Sequence, residues 1–300
     1  MSSAYAAALD GDTIHLEPSD ANYGDLTIQK RLVIIGAGYK LGPAAPNNSG
    51  LQANTQTSRV NLLTLNNINS SGTVIMGLHF VNQFGGLTIA NTSNITVQRC
   101  FFDSNLDIAF PNGGTGVSDI LVAGNFITGS IAHNQFAQTV TNLTIRNNII
   151  FGNLSFAEAA DVIENLLVVN NTLLYNGNHA LKNAEVAYNV FYQGNITGTN
   201  NTVHDNISAV ALTGGDASNP VVNMGNVYNL NVGTDDSKYD ILSSSPYNEG
   251  GAQARGAFSG ISPYRLSGIP NIPTIYSLQS TLNTTPGGTV NVTLSTRSNP

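Results

Sequence analysis

The loop SFAEAADVIEN carries Glu158, Asp161 and Glu164 at three-residue spacing. Folded as a helical turn, it would put the three carboxylates on one face, where one could act as a general acid and another as a base. The same residues also suit a solvated loop with no chemistry. A second acidic stretch, GTDDSKYD, brings together Asp235, Asp236 and Asp240. These could hold calcium, although the spacing is not that of a recognised calcium loop. The histidines His15, His79, His133, His179 and His204 show neither the i, i+4 nor the His-x-His spacing of a metal site. The glycine runs NGGTG and TGGDAS lack the lysine of a phosphate-binding loop. No cofactor is expected, and calcium is the one ion left open.

Bulk properties narrow the partners. Charged residues make up 10% of the 300 positions, against a typical ~25%. The net charge is −7 and the isoelectric point about 5.0, which disfavours a nucleic-acid phosphate surface. No segment approaches the ~18 apolar residues of a membrane helix, so no membrane insertion is expected. Cys100 is the only cysteine, so there is no internal disulfide and redox compartment cannot be read from cysteine usage. The opening MSSAYAAALDGDT lacks a basic n-region and a long apolar core. We read Met1 as a start that follows a removed leader.

The elements that would position any site come from a repeat. ITVQRCFF (95–102), ILVAGNFI (120–127), LTIRNNII (143–150) and LVVNNTLL (167–174) are variants of one string. Aligned on their central turn residue, they predict a column of His79, Cys100, Asn125, Asn148, Asn171, Asn189 and Asn206, and more loosely Asn226. Apolar residues alternate at period two on either side of that column, which is a strand signal. A period near ~20 residues means stacked coils that bury their faces against neighbours, as in a solenoid. The asparagine suits a tight corner because it tolerates the left-handed region. Stacked at ~4.8 Å, its amides can bond along the column.

On these residues the chain resembles the right-handed parallel β-helix proteins of the pectate-lyase-like superfamily, in which internal asparagine ladders recur. The stretch GDTIHLEPSDANYGDLTIQKRLVIIGAGY (11–39) is similar to the first coil of many secreted members. The resemblance implies an all-β, single-stranded parallel β-helix of about nine or ten coils, with an internal Asn ladder and a C-terminal β-hairpin extension. Its enzymes act on polysaccharides, as lyases with calcium-holding acids and an Arg or Lys base, or as hydrolases with paired aspartates. Here no acidic column emerges: the face that forms the lyase cleft reads Thr88, Asp107, Ser155, Ala180 and Thr197.

We divide the chain into a β-helix with its N-terminal cap (1–243), a closing coil and Pro/Gly linker (244–269) and a hairpin or docking tail (270–300). TIYSLQSTL and TVNVTLSTRS alternate cleanly around TPGG, and the tail resembles those of secreted Bacteroidetes-type proteins. Two outward apolar columns, Phe101, Phe126, Ile149 and Phe151, Leu174, Tyr192, would form a contiguous patch. Either a loop or the hairpin covers it, or it is a lateral protein contact; sugar stacking on Phe151 and Tyr192 is a third reading. We therefore expect an extracellular or cell-surface, non-catalytic protein acting through self-association or adhesion, with itself or another surface protein as partner. The alternative is a polysaccharide lyase or glycoside hydrolase.

Overall fold

The computed structural model describes residues 1–108, 116–133, 139–157, 162–248, 254–281 and 288–299, with nothing stated of the His133 side chain. The chain winds through three parallel sheets, of ten, eight and eight strands among the described residues. Each coil visits the first sheet, then the second, then the third, so sequential strands pair with the coil above and below. It is a parallel β-helix.

Inward positions form continuous columns because every strand keeps its register with the next coil. In the first sheet Ile75, Val97, Val122, Ile145, Val168 and Val186 stack, each fully buried. In the second sheet the strands Phe101–Phe102, Phe126–Ile127 and Ile149–Ile150 have only two residues each. One residue points in and the other out, and the inward rings of Phe80 and Phe102 stack with centroids 4.3 Å apart.

The corner between the first and second sheets holds the ladder. The Nδ2 of Asn125 donates to the Oδ1 of Asn148 (2.9 Å), and the relay continues through Asn171 and Asn189 to Asn206, with steps of 2.9–3.0 Å. Each Oδ1 also accepts the backbone N–H of the preceding ladder residue, and each Nδ2 also donates to a carbonyl one coil back. Every polar atom of a buried amide is thereby satisfied, which removes the penalty of burying it.

Three expectations about this corner need correcting. His79 is not in the ladder. It aligns with Phe101, one residue beyond the column, and Leu78 occupies the interior. Asn226 is also outside it, exposed in a short 3-10 turn; the ladder ends instead at Asn219, whose Oδ1 accepts from Asn206 at 2.9 Å. Nor do the ladder residues themselves take the left-handed conformation. The residue before each one does: Arg99, Gly124, Asn147, Asn170, Tyr188 and Asp205, with φ between 53° and 65°. The turn needs one left-handed residue, and the ladder position needs a side chain that is both donor and acceptor; the two demands fall on neighbours.

Both ends are closed. The helix Ser2–Ala7 lies over the first coil, with Met1, Tyr5 and Ala8 packed on the core and the Lys30 ammonium bonded to the carbonyls of Tyr5 (3.0 Å) and Ala8 (2.7 Å). At the other end the last strand of the solenoid is Ile207–Ser208, after which bridges to Gly215 and Val221 cap the edges.

The domain boundaries therefore shift. Beyond Ser208 the chain turns back, and the described residues 227–248 and 254–269 form a strap across the outer face of the second sheet rather than a closing coil at 244–269. Phe101, Phe126 and Ile149, at 8%, 4% and 0% exposure, pack with Tyr39, Tyr239, Ala257 and Tyr264. Val190 and Ile207 pack with Val227, Tyr228 and Ile241. The strap is pinned by Asp236, itself fully buried, which accepts from Asn48 Nδ2 (2.7 Å), Thr234 Oγ1 (3.0 Å), Tyr264 OH (3.2 Å) and Ser267 N–H (2.8 Å). After the strap comes the hairpin, Thr274–Ser280 paired antiparallel with Val292–Arg297, which forms a two-stranded sheet of its own.

Candidate functional site

The expected acidic sites do not assemble. Glu158 and Asp161 lie outside the described residues, and Glu164 is exposed at the end of the strand Val162–Glu164. Asp235, Asp236 and Asp240 do not form a metal-holding group, and the carboxylates of Asp235 and Asp236 are spent on different partners. Asp235 pairs with the Lys40 ammonium at 2.7 Å and lies 3.5 Å from that of Lys238. Burial pushes the Asp235 carboxyl up, but the two ammonium groups outweigh it and hold it below its ordinary range. Asp236 is occupied by its four donors, and burial pushes Asp240 upward. Among the described residues no group of three or more His, Cys, Asp or Glu side chains is placed to hold a metal ion.

The proposed interface residues are corrected by the strap. Phe101, Phe126 and Ile149 are sealed beneath it, and Phe151, Leu174 and Tyr192 are half-buried along its margins. They are an intramolecular interface. His79 stacks on Phe101 with centroids 4.5 Å apart, and its Nε2 lies 2.9 Å from Asp103 Oδ2. Cys100 caps the ladder, its N–H donating to Asn125 Oδ1 at 2.9 Å, and burial pushes its thiol up to about 12, which keeps it protonated.

Two surface features remain. The first is the outer face of the first sheet, where an open groove of about 660 Å³ runs over Leu121, Thr144, Arg146 and Leu167 between Asn142 and Tyr188. Beyond Tyr188 stands a cluster that sequence spacing did not show. His204 Nδ1 lies 2.9 Å from Asp205 Oδ2, and its Nε2 lies 3.6 Å from Glu185 Oε1. The Asp205 hydrogen bond, assisted by the charges of Asp205, Glu185 and Asp216, raises the imidazole pKa above its usual value despite some burial. These residues are 19 positions apart in sequence and become neighbours only because Ala187 and His204 occupy one register row.

The second feature is the hairpin. Its register puts Ile275, Leu278, Leu294 and Val292 on one face and Ser277, Gln279, Ser295 and Thr293 on the other. The four apolar residues, with Val290 just before the strand, are between 44% and 58% exposed. Its base is tied down: Ala53 N–H donates to Ile275 O (2.8 Å), Arg297 Nη2 to Leu51 O (2.7 Å) and Asn299 Nδ2 to Ile272 O (2.7 Å). Beside it a cleft of about 1140 Å³ separates Pro273–Leu278 from Leu16, Glu17 and the 52–56 loop. No family model matches the chain, and no curated protein or solved structure matches it either.

Proposed function

We propose that this is a non-catalytic extracellular or surface-associated scaffold that associates with a second copy of itself through the C-terminal hairpin. The observation that carries the reading is the hairpin's apolar face, exposed on a sheet that has two strands among the described residues. An isolated two-stranded hairpin is marginal in water and gains stability when its apolar face is covered. The ends of the solenoid are covered by the helix Ser2–Ala7 and by residues 209–222, which disfavours stacking coil on coil and favours the tail as the route. Two hairpins packed face to face about a two-fold axis make a self-complementary contact. With five half-exposed aliphatic side chains per copy the contact falls below the ~1,200 Å² of a standard interface, so a weak, reversible association is expected.

The test is the solution mass of the full chain against a Leu278→Lys, Val292→Lys, Leu294→Lys variant, by sedimentation over a range of concentrations. A dimer that the variant loses supports the proposal. A full chain that stays monomeric at high micromolar concentration overturns it.

A second reading is favoured by the His204 cluster beside the groove. Together with the resemblance to pectate-lyase-like proteins, an acid–base pair next to an open trough supports a polysaccharide ligand or substrate. Its test is a saccharide panel scored by thermal stability and product release, with His204→Gln as the comparison. A panel without any response, or a response that His204→Gln leaves intact, counts against it.

A further inference from the structure

Three of the seven arginines of this acidic chain, Arg99, Arg265 and Arg297, line a single pocket of about 380 Å³. The pocket sits where three parts of the fold meet. Arg99 comes from the solenoid corner, in the left-handed position before Cys100. Arg265 comes from the strap and Arg297 from the second hairpin strand. Sequence separation hides the cluster completely.

Among the described residues one carboxylate, Asp240, shares the lining, so its formal sum with the three guanidinium groups is +2. No ion pair among the described residues involves Asp240, and no guanidinium figures among the influences on its carboxyl, whose pKa is raised by burial. Burial, and then the like charge of Arg265, push the Arg99 guanidinium below its usual pKa. Two like charges are thus held within electrostatic reach of each other.

Arg99 Nη1 donates to Ile269 O (2.9 Å) and Arg297 Nη2 to Leu51 O (2.7 Å), which fixes both guanidinium planes. Arg297 Nε is buried and has no acceptor. A buried cationic donor without an acceptor is costly, and planar guanidinium groups in pairs match the geometry of an oxyanion, which can accept two parallel N–H bonds. The remaining wall, with Phe258, Leu266 and Ile269, is apolar. It lowers the local dielectric and strengthens the attraction.

We infer that this pocket is an oxyanion-binding site that takes a sulfate, phosphate or carboxylate group and locks the hairpin base and the strap to the solenoid. The group can come from a free inorganic ion or from an organic acid, and the test separates these sources. The full chain is titrated with sodium sulfate, sodium phosphate and sodium glucuronate at ionic strength held constant with sodium chloride, with thermal unfolding as readout. The expected result is a saturable rise of about 2–4 °C for at least one of the three. The rise is lost in Arg265→Gln and in Arg297→Gln, and kept in Arg59→Gln, an exposed arginine outside the pocket. A response to sulfate or phosphate alone assigns a free dianion, and a response to glucuronate assigns a carboxylate carried on a ring. A flat titration with all three, or a rise that survives both pocket variants, overturns the site. Arg265 is exposed, so its replacement leaves the fold in place to be measured.

Discussion

Phe126 and Leu294 both stand on strand positions that point away from the strand's own backbone layer, and they meet opposite fates. Phe126 faces outward from the solenoid and is 4% exposed, because the strap brings Tyr239 and Tyr264, and the chain after the strand Val33–Ile35 brings Tyr39, to the cluster that covers it. Leu294 pairs across the hairpin with Leu278, and both remain more than half exposed. Alternation along a strand says which residues share a face. It does not say what covers that face, and in this chain the cover arrives from about one hundred residues further along.

If that contrast holds, equivalent truncations separate by kilocalories. Phe126→Ala is expected to cost about 3–5 kcal/mol, because a packed aromatic leaves a cavity between two rigid layers. Chemical denaturation measures it, and a loss under about 1 kcal/mol would mean that the strap does not cover the face in solution.

The interior supplies a pH test that the hairpin cannot mimic. His179 replaces a leucine in the inward column of the third sheet, between Leu154 and Ile196. Its Nδ1 accepts the Leu154 N–H at 3.1 Å, while Nε2 is buried without an acceptor, edge-on to Tyr175 and Phe191. Burial lowers its pKa from 6.5 to about 4. The unfolded chain therefore binds the extra proton between those values, and stability falls as pH drops from 6.5 toward 4, by about 3 kcal/mol. Asp107 works in the opposite direction, since burial raises its carboxyl from 3.8 to about 6 and stability there falls as pH rises. The difference between the wild type and His179→Gln isolates the histidine. Parallel stability–pH curves for the two proteins would refute the assignment.

The ladder gives a smaller effect. Asn171→Ala strips the Nδ2 and the N–H of Asn148 of their shared acceptor and the Ile145 carbonyl of its donor. The expected cost is about 2–3 kcal/mol, read from the same denaturation curves. Smallest is Leu294→Ala, expected to leave stability within about 0.5 kcal/mol while weakening self-association. A large stability loss there would mean that the hairpin is folded onto the body rather than held out from it.

Most of the fold was legible in residues 95–174, where apolar alternation and the recurrent Asn125, Asn148 and Asn171 define strands, corner and period. The slip at His79 shows the limit of such alignment. A two-residue strand offers too little pattern to choose between Leu78 and His79 for the interior, and the choice rests on coil-to-coil register. The candidate sites were less legible still. Asp235, Asp236 and Asp240 are close in sequence, yet Asp235 is taken by Lys40 and Asp236 by Asn48 and Tyr264. His204 and Glu185, or Arg99, Arg265 and Arg297, carry no sequence signal because their proximity is created by stacking and by the returning strap.

By itself the sequence determined the repeating unit: period-two burial is local, and a side chain that must donate and accept at every coil selects asparagine. The tertiary structure alone decided which outward faces are covered and which charges meet. Those outcomes depend on the path of a strap with no repeat of its own, held by the buried Asp236 and by aromatic packing across distant coils.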